Sequence, residues 1–394
     1  MKPKIAFYIN GLVLGGAEKD LRLLIETMKD RYEIHLILKI RHEDIGALIP
    51  SINEINVFYL TENESKSPLN FLLMPLYALR YKRYLEKNAI PVSYSQLTRP
   101  NLTSAFMRIL GWRGKIILGE KSSPVGHYQA YGIQGRIILT LIKYLYRNAD
   151  LIIPNSIGTR IALEETLNIK TQYEVIYNAI HIEETQYKSK TPLNKPLPEG
   201  ADTGRFTFIC VSNLLAHKNQ QLLIRAMQKL EHLDCQLWLV GIGIEAARLR
   251  ELIVECGQEK RVFVFGYRSD ALQLMGKADC FVTATRAEGL PNAQIESMTL
   301  GLPVISADCM AGPRELLAPK SDPHKQLKAG TELGDSGILV PVDDLEMMAT
   351  AMEYMCTDAD LIGNFQVVKP SSIERFAYDK IMEQTAASFE QFYK

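Results

Sequence analysis

Residues 286–303 read Arg-Ala-Glu-Gly-Leu-Pro-Asn-Ala-Gln-Ile-Glu-Ser-Met-Thr-Leu-Gly-Leu-Pro. A Gly-Leu-Pro-Asn turn separates two carboxylates, Glu288 and Glu296, and the residues after it open a helix. Pro291 suits the first helical position, where its missing N–H would have no partner anyway. The amides from Asn292 to Gln294 are then left open at the positive end of a helix dipole, a common setting for phosphate. Apolar runs at 279–283 and 303–306 flank the turn and helix. Strand, turn, helix, strand is the repeating unit of a parallel α/β sheet. One carboxylate precedes the anion site and the other lies about one to two turns inside the helix. That arrangement implies a diphosphate ligand with polar groups on either side.

The same alternation extends in both directions. In the first half, strands are expected at 4–10, 33–40, 55–60, 91–95, 115–119, 150–153 and 174–177, with helices near 17–29, 69–87, 101–110, 133–148 and 156–168. Residues 183–205, rich in Lys, Thr, Pro and Gly and without apolar period, read as a linker. A second series follows, with strands near 206–212, 235–240, 261–265, 279–283, 303–306 and 337–340 and helices near 218–231, 245–256, 269–276, 291–300 and 344–355. The expected organisation is a domain over 1–185, a linker over 186–205, a second domain over 206–371 and an amphipathic last helix over 372–394. The fold class is α/β, with two doubly wound, Rossmann-like domains facing a cleft, where such sheets take ligands at the C-terminal ends of their strands.

A chain of 394 residues is long for one core and comfortable for two. The net charge is zero, but it is unevenly spread: from Lys66 to Arg147 there are thirteen basic and two acidic side chains. Such an excess points to an anionic surface or ligand facing that segment. The six cysteines form no CxxC pair and several fall in apolar runs, as expected of buried, reduced thiols. Lys2-Pro3-Lys4 leads directly into the first strand, so no signal peptide is expected, and no apolar run reaches the roughly 20 residues of a membrane span.

Four further turns follow predicted strands. Asn10 to Glu18, with Gly11, Gly15 and Gly16, lets backbone approach a ligand closely, or is simply a tight strand-to-helix turn. Ser212 to Asn219 brings Lys218 to a helix start, where its charge opposes the dipole by about 0.3–1 kcal/mol. A bound anion would offset that; a solvated lysine is the alternative. Gly241-Ile242-Gly243 lacks the third glycine and the acidic ribose partner of a nicotinamide-nucleotide fingerprint. Tyr267 and Arg268 lie in a loop that could flank a base. His127 follows a predicted strand in a glycine- and serine-rich loop, a fair position for a site residue or a bystander. Asp358-Ala359-Asp360 is expected to cap a helix rather than hold a metal, and no side-chain cluster has metal-ligand spacing.

Taken together, Gly15-Gly16-Ala17-Glu18, Ile176 to Ile180, Ser212 to Asn219, Gly241 to Gly243, Glu288 to Glu296, Gly301 to Ile305 and Gly312 to Glu315 resemble the family 4 glycosyltransferases, retaining enzymes of GT-B fold. The similarity is strongest to bacterial enzymes that build polysaccharide, lipopolysaccharide or undecaprenyl-linked oligosaccharides. The resemblance implies an acceptor-binding first domain, a nucleotide-sugar-binding second domain, and a last helix that packs back on the first. By the same resemblance Gly15 and Gly16 face the donor diphosphate, Lys218 neutralises it, and Glu288 lies near the transferred sugar. Gly289, Leu290, Pro291, Asn292 and Ala293 hold sugar and phosphate, Glu296 takes the ribose hydroxyls, and His127 contacts the sugar. Two positions depart from the family pattern. An arginine usual five residues before the lysine is Asn213 here, so Arg314 or Arg268 becomes the candidate replacement, and the aspartate usual after the Asn178 motif is His181.

The reaction implied is transfer of a hexose or N-acetylhexosamine from a nucleotide sugar, a UDP-sugar by analogy, to a lipid-linked or polysaccharide acceptor. It proceeds by front-face attack with retention, needs no metal or cofactor, and involves closure of the two domains. The basic 66–147 region, with the mixed apolar, aromatic and basic run 69–85, fits the anionic inner face of the cytoplasmic membrane and so a cytoplasmic, peripheral location. A core helix with a solvated basic end is the other reading of 69–85. No nucleic-acid motif accompanies the basic stretch. A sugar-nucleotide epimerase of similar shape and a non-catalytic sugar-nucleotide binder are the rival functions.

Overall fold

The computed structural model describes residues 2–12, 16–40, 49–61, 73–366 and 370–394. The chain divides into two compact units, Met1–Ala179 with Asp379–Lys394, and Ile180–Tyr378. The first unit is built on strands β1 (Lys4–Ile9), β2 (Glu33–Leu38), β3 (Asn56–Tyr59), β4 (Val92–Gln96), β5 (Lys115–Glu120) and β6 (Leu151–Pro154). They form one parallel sheet in the order β3-β2-β1-β4-β5-β6. Most strand residues are buried, because helices cover both faces, and this is why the strands read as apolar runs rather than alternations. Those helices include α1 (Gly16–Met28), α2 (Met74–Lys87), α3 (Thr98–Ile109), α4 (Pro124–Tyr128), α5 (Gly132–Leu145) and α6 (Ile157–Ile161).

The second unit opens on α7 (Ile182–Ser189), which packs on residues Ala271–Met275. Part of the stretch expected to be a linker is therefore folded. Its short amphipathic turn hides in a composition dominated by Lys, Thr and Pro. The sheet of this unit comprises β7 (Phe206–Val211), β8 (Cys235–Val240), β9 (Val262–Gly266), β10 (Cys280–Thr283), β11 (Val304–Ala307), β12 (Glu332–Leu333) and β13 (Gly337–Val340). Its order is β12-β13-β11-β10-β7-β8-β9, parallel except for the two-residue edge strand β12. The helices are α8 (Gln220–Lys229), α9 (Ala246–Glu255), α10 (Ala271–Met275), α11 (Asn292–Thr299), α12 (Pro313–Leu317), α13 (Leu345–Thr357), α14 (Ala359–Gln366) and α15 (Pro370–Ile373). Phe208, Leu237, Leu239, Val282, Ile305 and Ile338 centre its core.

Three local expectations change. Residues 174–177 do not form a strand of the sheet; Glu174 and Ile176 donate only single backbone bonds to Ile152 and Pro154, of 3.1 Å each. The expected helix 156–168 is α6 followed by a wide turn over Ala162–Thr166. The last helix is broken: α16 runs over Tyr378–Glu390 alone. Within the first unit Phe389 of α16 meets the rings of Phe7 and Tyr94, and the Tyr393 hydroxyl donates to the Lys4 carbonyl at 2.7 Å. Asp358 caps α14 by accepting from the Leu361 amide at 2.9 Å. Among the described residues no His, Cys, Asp or Glu cluster could hold a metal ion, and no helix is long and apolar enough to cross a membrane.

The turn after β8 lies against the turn after β7. A Cβ on Gly241 would sit 1.9 Å from the Ser212 carbonyl oxygen, and one on Gly243 2.0 Å from that of Leu214. These glycines allow contact between two backbones, which gives Gly241 and Gly243 a packing role. Gly243→Ala should therefore destabilise the protein by about 1–3 kcal/mol, since backbone must move to admit the methyl group. Gly363→Ala, in α14 with nothing within 4 Å of the new atom, should be neutral or stabilise by up to roughly 1 kcal/mol. Urea unfolding of the two variants checks the contrast, and equal midpoints would refute it.

Candidate active site

In the second unit the strand order reverses between β7 and β10, and the loops after these two strands share the crevice that the reversal opens. The first loop is closed by Gln220, whose side-chain amide donates to Ser212 Oγ at 2.9 Å and to the Asn213 carbonyl at 3.0 Å. It ends at Asn219, which takes the left-handed conformation (φ +54°) that asparagine tolerates better than most residues. The second loop is fastened to the first. The Arg286 amide donates to the His217 carbonyl at 2.8 Å, and Asp343 accepts from both Arg286 Nε (2.7 Å) and Asn219 Nδ2 (2.9 Å). As a result Lys218 Nζ forms an ion pair with the Glu288 carboxylate, with both side chains largely shielded. Cys210 and Cys309 lie close enough to feel both charges. Burial raises both thiols, Cys210 to about 11, so they stay protonated beneath the pair.

Glu288 leads through Gly289 and Leu290 into α11. Pro291 proves to be the cap residue, with extended backbone, rather than the first helical residue. Its carbonyl accepts the amides of Gln294 at 3.1 Å and Ile295 at 3.3 Å. Of the three amides expected to be open, that of Gln294 is thus engaged within the helix. Gln294 also anchors the helix to β11 through Ser306 Oγ at 2.7 Å. Behind the turn, Gly312 (φ +90°) comes so close that a Cβ there would lie 2.6 Å from the Gly289 carbonyl oxygen. Glu296 sits in α11, half-buried, and Tyr267 is exposed after β9.

Of the first-unit candidates, Gly16 opens α1, while Gly15 lies outside the described residues. His127 belongs to the short helix α4 rather than to a loop, because Ser123 caps it by accepting from the Gly126 amide at 3.3 Å. Its ring meets those of Tyr128 and Tyr131. A buried polar network supports this edge of the sheet. Glu120 accepts from the Tyr146 hydroxyl at 2.7 Å, and Asn101 Nδ2 donates to the Gly119 carbonyl at 2.9 Å. Lys121 pairs with Asp20 at 3.4 Å and donates to Asn178 Oδ1 at 3.3 Å. Glu120, Asp20 and Lys121 do not stand out in the sequence as a network, since Asp20 and the partners Asn101, Tyr146 and Asn178 lie far along the chain from positions 120 and 121.

The family model described as glycosyl transferases group 1 matches residues 195–365. A curated relative from Campylobacter jejuni is the N-acetylgalactosamine-N,N'-diacetylbacillosaminyl-diphospho-undecaprenol 4-alpha-N-acetylgalactosaminyltransferase. It is 30% identical over 381 residues, covering 96% of each chain. The chain belongs to the group 1 glycosyltransferases. A Rhizobium meliloti lipopolysaccharide core biosynthesis glycosyltransferase, LpsE, is 27% identical over 56% of this chain and 58% of its own. Among solved structures, Anabaena HepE in complex with UDP and glucose superimposes with a TM-score of 0.74, at 20% identity, over 98% of this chain and 99% of its own. The fold of this glycosyltransferase is GT-B, with two Rossmann-like domains.

This glycosyltransferase has Asn213, exposed, where the resemblance leads one to expect an arginine. Neither proposed replacement is available. Arg268 is clamped by Asp270 at 2.6 and 2.7 Å and by the carbonyls of Lys195 and Pro196 at 2.7 and 2.9 Å. Its guanidinium holds the Asp270 carboxyl down to about 2. Arg268 therefore ties the segment before β7 to the loop after β9 instead of facing a ligand. Arg314 is likewise held by Asp308 at 3.2 Å, Glu332 at 3.0 Å and Ser321 at 2.9 Å. Lys218, by contrast, is paired with Glu288 inside the crevice.

Glu120 gives the glycosyltransferase a pH signature. Burial lifts its carboxyl from an ordinary 4.5 to about 7. The folded state therefore favours the protonated form. Its contribution to stability is whole below pH 4.5 and is lost as pH rises through about 7. From pH 5 to 8 urea unfolding should show a loss of up to about 3 kcal/mol. Glu120→Gln should flatten that part of the profile, and parallel curves for the two proteins would exclude this role.

Proposed function

We propose that this glycosyltransferase moves a hexose or N-acetylhexosamine from a UDP-sugar to a lipid-linked or surface-polysaccharide acceptor, with retention at the anomeric carbon and without a metal ion. The Lys218–Glu288 pair at the reversal point of the second sheet, in the turn leading to α11, carries the reading. Departure of a nucleoside diphosphate builds negative charge on the β-phosphate, so the reaction needs fixed positive potential there. Lys218 and the start of α11 supply it, and preorganised donors of this kind are worth about 3–4 kcal/mol each in a water-poor site. Glu288 restrains Lys218 until the diphosphate competes for it, then orients the sugar. Gly289 to Ala293 line the sugar and phosphate, and Glu296 takes the ribose. The departing phosphate accepts the acceptor's proton on the same face, which accounts for retention. Gly16 and His127 keep the roles that the resemblance gives them, towards the diphosphate and the transferred sugar.

The acceptor class is supported by the relatives. The Campylobacter jejuni enzyme is named for transfer to a diphospho-undecaprenol-linked sugar, and the Rhizobium meliloti enzyme for lipopolysaccharide core biosynthesis. HepE, solved with UDP-glucose, supports the nucleotide. Lys218→Ala and Glu288→Ala should each lower kcat by roughly 10²–10³-fold, measured as transfer from UDP-sugars to polyprenyl-diphosphate sugars, with EDTA leaving the wild-type rate unchanged. Near-normal rates in both variants would overturn the assignment, and donor conversion that ignores the acceptor would favour an epimerase.

An anionic membrane surface belongs to the same proposal, with its location moved. In α2 the side chains of Tyr77, Ala78, Tyr81 and Leu85 are buried, so most of its apolar face serves the core, and residues 69–72 lie outside the described set. Helix α5 is the better lipid-facing element. Ile133, Ile137 and Tyr144 share one exposed face, and Arg136 and Arg147 are exposed beside them. Replacing Ile133 and Ile137 by Ser should weaken sedimentation with phosphatidylglycerol vesicles, and wild-type binding should fall as salt rises. Binding indifferent to salt and to both substitutions would count against a membrane role.

A further inference from the structure

Asp343 lies in the loop after β13, a strand two places from β10 in the second sheet. One of its carboxylate oxygens, Oδ1, accepts from Asn219 Nδ2 at 2.9 Å and from Arg286 Nε at 2.7 Å. Asn219 is the residue after Lys218, and Arg286 stands two residues before Glu288. Arg286 also reaches the turn on the other side of Lys218. Its amide donates to the His217 carbonyl at 2.8 Å and its Nη1 to the Ala216 carbonyl at 3.2 Å. The loops after β7, β10 and β13 are thus joined at a single oxygen, next to the residues that form the ion pair.

This junction costs backbone strain. Asn219 (φ +54°) and Asp343 (φ +62°) both take the left-handed conformation, which residues other than glycine adopt reluctantly. Such residues persist where their surroundings hold them, and they gather at functional sites. The gain in stability is small. The Arg286 and Asp343 side chains are 47% and 50% exposed, and ion pairs so open to water contribute little. Placement explains the arrangement better. Lys218 carries its charge on a flexible stem. Holding Asn219 and Arg286 to one carboxylate fixes the two stretches of backbone between which the Lys218–Glu288 pair forms.

We propose that Asp343 is a positioning residue for sugar transfer, which through Asn219 and Arg286 sets the place of the Lys218 ammonium relative to Glu288 and to the departing diphosphate. This rests on the role given to Lys218 above and names the residue that holds Lys218 to it. Negative charge grows on the leaving group in the transition state. A displaced ammonium therefore costs more there than in the bound substrate, and a shift of about 1 Å can cost on the order of 10²-fold. The loss falls on kcat more than on KM.

Asp343→Gly separates placement from stability, because glycine takes the left-handed conformation without strain while both hydrogen bonds are lost. In the full chain it should leave the urea midpoint near the wild-type value. It should lower kcat for transfer from a UDP-sugar to a polyprenyl-diphosphate sugar by roughly 10- to 100-fold, with KM for the donor changed by less than about threefold. Glu255→Gln, which removes an exposed ion pair of the same 2.7 Å length on α9, should alter none of the three. Asn219→Asp sets a second carboxylate against Asp343 and should also lower kcat. Adding Asp343→Asn should recover most of that rate, since the amide then donates where the carboxylate had accepted. Labelling of Lys218 by acetic anhydride, read by mass spectrometry, reports its placement without substrate and should rise several-fold in Asp343→Gly. Wild-type kcat in Asp343→Gly overturns the proposal and, with Lys218→Ala inactive, leaves the role of Lys218 intact. Unchanged labelling overturns it even where kcat falls, because the effect then does not pass through Lys218. A rate lost in step with the urea midpoint, or not recovered in the double variant, overturns it in favour of a structural role. Near-normal transfer by Lys218→Ala sinks the role of Lys218 itself, and with it any effect of Asp343 that acts through that residue.

Discussion

A parallel sheet wound in two directions has one place where neighbouring strands send their chains to opposite faces, and the loops there cannot pack over the strand ends. That constraint governs both units. In the second it falls between β7 and β10 and brings together residues separated by about seventy positions in the chain, Lys218 and Glu288. In the first it falls between β1 and β4 and brings together Asn10, Lys39 and Arg99. Among the described residues the lining of one crevice includes an ion pair and that of the other includes two cations.

The positive charge of the second unit is distributed with a clear division. Arg268 and Arg314 present planar guanidinium groups to carboxylates and carbonyls, the geometry in which arginine is strongest. Both fasten loops, and their charge is neutralised where they stand. Lys218, a point charge on a flexible stem, can exchange its carboxylate partner for a phosphate without breaking a bidentate fit.

The walls also depend on the absence of side chains. Gly241 and Gly243 let the turn after β8 lie directly on the turn that leads to Lys218, and Gly312 does the same beneath Gly289 and Pro291. In the first unit the comparable support is polar. The buried Glu120, Tyr146 and Asn101, with Lys121, Asp20 and Asn178, brace the sheet edge from which α4 and His127 project.

The sequence by itself determined the α/β class, the two units, the position of nearly every strand of the second sheet and the turn that carries Glu288, because apolar runs and glycine turns are local signals. It also placed Lys218 at a helix start. It could not show that Lys218 meets Glu288, that Arg268 and Arg314 are already engaged, or that the start of the 183–205 stretch folds into α7, since each depends on partners far along the chain. The periodic run before α3 reads as an interfacial helix, but packing turns most of its apolar side inward, whereas Ile133, Ile137 and Tyr144 of α5 stay exposed. Local periodicity fixes which residues can share a face. Which face is covered, and which charge finds a partner, is decided only when the sheets close.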